Sequence, residues 1–469
     1  MAADALPSVE SVRRWGERLL GAFLVLGLGS IFALGWAAPT FIVLLPLVLI
    51  AGGALAVLVR HPLAHLSVVL VALVFVLQKE EGVQITEALC GVYYLSYLGS
   101  WFVYHAVLGR ERLLRTPLDC AVALLLVFGT ASLVLVPFTG GLPGPAVRQW
   151  MALVLFAFYF PIKEALVRER YGVHVMLGTL ALIVLILALQ TFYNYATDLR
   201  EAEHLWQIAN NREREHERFL MIGLLGSLVF LLYFARTLRG QVVALVFAAA
   251  SFAGVAVGLS RAVWLAVAAG LGVLFLIVEG KQRVRLVAAG ALGVGALLAV
   301  GTLLLGDAFS LVIQGLAERF STIGSAGSKD VSLINRFYEW RTALELIAES
   351  PIIGRGLGVP FDNYTLIYYV TENKFHIHNA FLGMLYRHGI VGLGLFVFIL
   401  VATFGLGVRL TRRQSSRLEY ALALTAVTVL PALCVAALTE GMMMDTGGVF
   451  ALMLPAAFVS GLGQRHRHG

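Results

Sequence analysis

The sequence predicts an all-α polytopic membrane protein of about 12–14 transmembrane helices, with one large helical loop on its outer face. Three observations predict it. Of the 469 residues, 59% are hydrophobic and only 13% charged, against roughly 45–50% and about 25% in soluble domains. Mean hydropathy is +0.85, more apolar surface than one globular core of ~250–300 residues can absorb. Apolar runs of spanning length also recur along the chain, and basic residues gather in every second connection between them.

The runs lie near 19–37, 40–59, 62–78, 84–108, 118–137, 149–167, 172–192, 219–235, 241–258, 262–279, 286–305, 389–408, 419–438 and 446–462. The first, Leu19 to Ala37, is long enough to span and lacks a small-residue cleavage site, so it is expected to remain as an anchor. With a cytoplasmic N-terminus, one side collects Arg13, Arg14, Arg18, Arg60, Arg110, Arg112, Arg115, Lys163, Arg168 and Arg170. The same side then collects Arg236, Arg239, Lys281, Arg283, Arg285, Arg409, Arg412, Arg413, Arg417, Arg465 and Arg467. These are more than half of the 35 Lys and Arg, and they place both termini in the cytoplasm. The net charge of +7 therefore records topology, and no nucleic-acid partner is expected. Cys90, Cys120 and Cys434 sit far apart in apolar stretches with no CxxC spacing, so neither a disulfide framework nor a structural metal is expected.

The chain divides into a transmembrane bundle over 1–305, an outer-face loop over 306–388 and C-terminal transmembrane helices over 389–469. Residues 193–218 interrupt the bundle as a short, mixed-charge outer loop with some helix. The 306–388 stretch is too long for a simple connection and carries aromatics, among them Trp340, and helical periodicity, so it reads as folded.

Three signals on that face carry chemistry. Arg261 follows Gly258 and Ser260 between two apolar runs, where a cation is either snorkelling or functional. Arg336 opens a helical stretch over 337–348 that ends at Pro351, and a cation at a helix start is explained by an anionic ligand shared with the helix N-terminus. Gly354, Gly356 and Gly358 follow as a tight loop with exposed amides, without a nucleotide-binding pattern. His376 and His378 then stand two apart, a spacing for a strand or turn. Glu372 and Asp362 are not spaced as a zinc set with them, so no metal or other cofactor is expected. The topology puts Arg261, Arg336 and His378 on one face. Paired guanidinium groups suit a pyrophosphate, and a histidine at the membrane border suits proton transfer from a hydroxyl.

The run Arg336, Trp340, Ala343, then Ser350-Pro351-Ile352-Ile353-Gly354-Arg355-Gly356, His378-Asn379-Ala380-Phe381-Leu382 and Gly389-Ile390-Val391-Gly392 resembles the superfamily of O-antigen ligases and Wzy-type polymerases. Ser260-Arg261 matches the arginine that ends a span in that family, and the likeness covers roughly 255–395. The resemblance implies a GT-C-like glycosyltransferase of the bacterial inner membrane, multi-pass, with its active site on the periplasmic face. The donor would be an undecaprenyl-diphosphate-linked glycan in the membrane lipid, and the acceptor lipid A–core or another glycan. Carried over by position, Arg261 and Arg336 would hold the diphosphate and His378 would activate the acceptor hydroxyl. Asn379 would support His378, and Tyr338 or Arg341 would shape the pocket. One position departs: many relatives carry an acid two residues before the glycine that is Gly389 here, and this chain has Arg387.

A ligase and a polymerase differ in acceptor. One dominant outer loop fits a ligase acting on lipid A–core. A third branch of the superfamily transfers glycan to protein, often with an added soluble C-terminal domain, and is less expected here because Gly469 follows soon after the last span. Arg212, Arg214 and Arg218 keep a polymerase in view. From another class, a transporter would show repeats and mid-span acids. No repeat is evident, and Glu87 and Glu164 lie near span ends.

Overall fold

The computed structural model describes residues 61–76, 85–110, 112–201, 214–258, 260–305, 331–365, 370–413, 416–443 and 445–468, with the isolated residues 313, 314 and 317. The helices are α1 (Pro62–Val76), α2 (Ile85–Phe102), α3 (Pro117–Val134), α4 (Pro143–Val154), α5 (Tyr159–Arg168), α6 (Gly172–Glu201) and α7 (Arg214–Tyr233). They continue as α8 (Leu238–Val257), α9 (Arg261–Ile277), α10 (Gly280–Leu305), α11 (Val331–Ile347), α12 (Ala380–Thr411), α13 (Arg417–Ala437) and α14 (Thr446–His468). A π-helical turn extends α2 through Leu108, and a tight turn over Leu155–Phe158 joins α4 to α5.

The chain is an all-α polytopic membrane protein. Of the fourteen apolar runs, those at 19–37 and 40–59 lie outside the described residues, and each of the others overlaps a helix. Among the described residues, eight helices are long and apolar enough to cross a membrane, while Pro62–Val74 and Arg261–Ile277 are shorter. The most enclosed spans are Thr446–Arg465, Pro143–Arg168 and Arg417–Ala437, with 83%, 78% and 72% buried, against 19% for Gly280–Leu303. Thus α13, α14 and the α4–α5 span are the most central of these, and α10 is the most peripheral.

Two expectations are corrected here. The span expected at 389–408 begins nine residues earlier, at Ala380, because the Asn379 side chain caps the helix by accepting from Phe381 and Leu382 N–H, both at 3.0 Å. Arg387 and His388 depress the hydropathy of that first part. The outer loop is also not wholly helical: β1 (Phe361–Thr365) and β2 (Val370–Lys374) pair antiparallel, with Phe361 opposite Lys374 and Asn363 opposite Glu372. Of the 193–218 loop, 202–213 lie outside the described residues.

Contacts sort the described residues into two units. Those within 1–70 and 92–113 form one, in which the His65 ring meets those of Tyr93 and Tyr97. The second comprises those within 71–91 and 114–469 and holds everything discussed below. At one end of this unit, α3, α5 and α14 are tied by a buried polar network. Asp119 accepts from Lys163 Nζ at 2.9 Å and from the Tyr159 hydroxyl at 2.5 Å, and that hydroxyl lies 2.7 Å from Ser460 Oγ. The candidate site occupies the opposite end.

Candidate active site

Local sequence fixes the His378 turn. In the extended stretch after β2, side chains alternate. Ile377 is fully buried with Ala343, Ile347, Phe361 and Tyr386, so His376 and His378 face the other way. Their rings meet edge to face, 4.8 Å apart. The hairpin is clamped from α4 by the buried Gln149. Its Nε2 donates to Phe375 O at 3.0 Å, beyond β2, and its Oε1 accepts from Gly358 N–H at 2.9 Å, ahead of β1.

Glu339, 2% exposed on α11, is the partner of His378. The His378 backbone N–H donates to Glu339 Oε1 at 2.5 Å, and the ring Nδ1 lies 2.9 Å from Oε2. A carboxylate only accepts, so Nδ1 carries a proton, and in the neutral ring the lone pair is on Nε2, on the far side. Trp340 Nε1–H donates to His378 O at 3.4 Å, and Lys374 Nζ stands 3.8 Å from Glu339 Oε2. Burial pushes the Glu339 carboxyl up, but the ring and backbone of His378, with Lys374 beyond, outweigh it and hold the carboxyl below its ordinary range. This is the arrangement of an imidazole oriented by a carboxylate for proton transfer.

The glycine loop has a different task from the one its spacing implied. Gly354, Gly356 and Gly358 all have positive φ, as expected for a tight loop, but their amides are engaged. Gly354 N–H donates to Ser350 O, Arg355 N–H to Tyr386 O at 2.7 Å, and Gly356 N–H to Arg387 O at 3.0 Å. The loop is therefore a staple onto α12. There Gly389, at φ 60°, breaks the helix so that Ile390 N–H reaches Pro351 O at 2.9 Å.

Arg336 is not at a helix start: α11 begins at Val331, so the helix-terminus argument lapses. It is half-buried one turn before Glu339 on the same helix, with Trp340 and Ala343 continuing that face. Tyr338 is 48% exposed, and the exposed Arg341 pairs with Glu345 at 3.1 Å, so both stand on the solvent side of α11. Asn379 gives its oxygen to the α12 cap, one residue from the dyad. Arg261 opens α9 at a turn braced by Trp264 Nε1–H to Val255 O at 3.0 Å.

Beside that turn lies a cluster the sequence reading missed. A Cβ on Gly258 would fall 2.3 Å from Glu217 Oε1, so the carboxyl packs on the glycine. Arg218, 2% exposed, donates through Nε to Glu440 Oε2 at 2.9 Å and through Nη1 to Asp445 Oδ1 at 2.5 Å. It is thus a buried tie between α7 and the turn joining α13 to α14, and not a loop arginine offered to substrate. Acids at 440 and 445 between two apolar runs were the available signal. Among the described residues, no three or more His, Cys, Asp or Glu side chains are grouped to hold a metal ion.

A search of curated proteins gave no match. A family model described as O-antigen ligase matches residues 243–397. That stretch includes Arg261, Arg336, Glu339, the glycine staple, His378 and the Gly389 break, in agreement with the resemblance found in the motifs. The protein is thereby a multi-pass membrane protein of O-antigen ligase/polymerase-like function in lipopolysaccharide biosynthesis, acting generally on lipid-linked glycans. Residues 243–397 are thus similar to the O-antigen ligase family, and the match supports the superfamily of ligases and Wzy-type polymerases.

Proposed function

We propose that the protein moves a glycan from undecaprenyl diphosphate to a hydroxyl of lipid A–core oligosaccharide, at the periplasmic face of the bacterial inner membrane. The observation that carries this reading is the Glu339–His378 dyad, which presents Nε2 of an oriented imidazole beside the membrane-spanning part of α12. In the reaction the acceptor oxygen attacks the anomeric carbon as its proton passes to Nε2. The bond from that carbon to the diphosphate oxygen breaks, and undecaprenyl diphosphate leaves. Glu339 stabilises the imidazolium that forms. Arg336, one turn from Glu339, and Arg261, at the head of α9, neutralise charge on the departing diphosphate. Asn379 fixes the direction of the chain leaving His378, and Tyr338 and Arg341 meet the acceptor from solvent.

A ligase is favoured over a polymerase because Arg218 is committed to Glu440 and Asp445. One arginine of the 193–218 loop is thereby withdrawn from substrate.

The test is a surface-glycan gel of a strain lacking the protein, complemented by wild type and by His378→Ala. Free lipid A–core with accumulated long carrier-linked chains in the null and in His378→Ala supports the ligase. Core bearing a single repeat would make the protein a polymerase, and an unchanged ladder would overturn transfer altogether.

A further inference from the structure

Arg387, the residue that stands where many relatives have an acid, is 3% exposed, and among the described residues its Nε and Nη2 are buried with no hydrogen-bond partner. No carboxylate lies within ion-pair distance of it among those residues. Arginine does not lose its charge to escape burial, so this cation is a standing cost unless an anion meets it. The described acids of the candidate site and of the Arg218 cluster are engaged elsewhere. Glu339 is held by His378 and Lys374, Glu440 and Asp445 by Arg218, Glu349 by Arg355, and Glu372 faces Lys374 at 3.7 Å.

Geometry narrows the anion. Nε–H and one Nη2–H point the same way along one edge of a guanidinium, so the two unpartnered nitrogens form a single fork that matches two oxygens of a phosphate. The guanidinium lies over Gly383, with Nη1 and Nη2 each 3.5 Å from where a Cβ would stand. A helical side chain leans toward the helix N-terminus, which here means toward Asn379 and His378, the residues before Ala380. Gly383 presents no side chain to the guanidinium on that side. The backbone is held in place: Arg387 O accepts from Gly356 N–H, and Gly389 breaks the helix two residues on.

We propose that Arg387 is a further diphosphate-binding residue, reaching the donor's phosphates from inside the bundle while Arg261 and Arg336 approach from the outer side. This rests on the donor assigned above. The anion is a phosphate held at membrane depth, and the donor's diphosphate and a phospholipid headgroup are its two possible sources.

The test measures binding of undecaprenyl diphosphate to the full-length protein in nanodiscs, together with melting temperature, for wild type, Arg387→Met and Arg387→Lys. Arg387→Met is expected to weaken binding about tenfold or more, while its melting temperature without added lipid stays equal or rises, since an uncompensated charge has gone. Arg387→Lys, a point charge without the fork, is expected to fall between. Wild-type affinity in Arg387→Met overturns the inference and leaves the donor reading standing, whereas no binding by wild type overturns both. If Arg387→Met does not fold, Arg387→Lys decides: unchanged affinity in that variant overturns the assignment. An equal Arg387-dependent stabilisation by phosphatidylglycerol would assign the residue to lipid phosphate in general and overturn the donor.

Discussion

Glu339 and His378, on opposite sides of the glycine loop and hairpin, are joined twice: one carboxylate oxygen takes the His378 backbone N–H and the other faces the ring Nδ1. The double contact fixes the turn and the ring together. Glu339→Gln replaces a pure acceptor by an amide whose N–H₂ competes for the same ring nitrogen, so the proton is no longer directed to Nδ1. Transfer by the purified variant is expected to fall about 10²-fold or more with its membrane insertion unchanged, as measured by single-turnover glycan transfer.

The same pair sets an acid limit. The folded carboxyl of Glu339 lies below its ordinary value, so its contribution to stability is complete above that ordinary value, about 4.3. The contribution is lost as pH falls through the lower folded one. The difference in melting temperature between wild type and Glu339→Gln is therefore expected to shrink as pH falls below about 5. A scan of detergent-solubilised protein across that range checks the sign.

Arg218 supplies a stability prediction separate from chemistry. Removing it leaves Glu440 and Asp445 facing each other in a site where Arg218 is 3% exposed at its side chain. Arg218→Ala is expected to cost about 3–5 kcal/mol, read as a marked drop in melting temperature and yield. The triple variant Arg218→Met, Glu440→Gln and Asp445→Asn should recover much of it.

Gly389 tests the staple. At φ 60° an alanine is strained, and its Cβ would stand 2.1 Å from Ile352 O. Gly389→Ala is expected to cost about 2 kcal/mol or more and to loosen the Pro351–Gly358 loop, with proteolysis appearing there first.

Arg261→Ala and Arg336→Ala are each expected to abolish transfer while the protein still inserts. Under the proposed mechanism, in which guanidinium charge serves the leaving diphosphate, wild-type transfer should survive EDTA. Normal transfer in either variant would remove that arginine from the role, and loss of activity on chelation would reverse the metal-independent assignment.

Much of this was legible in the sequence because lipid-facing helices announce themselves by composition, and twelve runs could be placed from hydropathy alone. Arg261 at a span end and His378 before α12 were legible for a related reason: ionisable residues beside apolar runs are conspicuous. The partner of His378 was not. Glu339 sits in plain view between Tyr338 and Trp340, but only the hairpin and the Gln149 clamp bring it to the histidine. Arg218 looked like one of several loop charges until the fold buried it against two acids more than two hundred residues away. The glycines at 354, 356 and 358 announced a tight loop, yet their amides are taken by Ser350 O, Arg387 O on α12 and Gln149 Oε1 on α4, pairings that local spacing does not encode.

The most direct test of the central claim, that His378 transfers a proton and does not hold the donor, compares two quantities on one preparation of His378→Gln. These are its affinity for the undecaprenyl-diphosphate-linked glycan and its single-turnover transfer rate. The dyad predicts donor affinity within about twofold of wild type with transfer reduced about 10²–10⁴-fold. Parallel loss of affinity and rate would make His378 a binding residue and contradict the account.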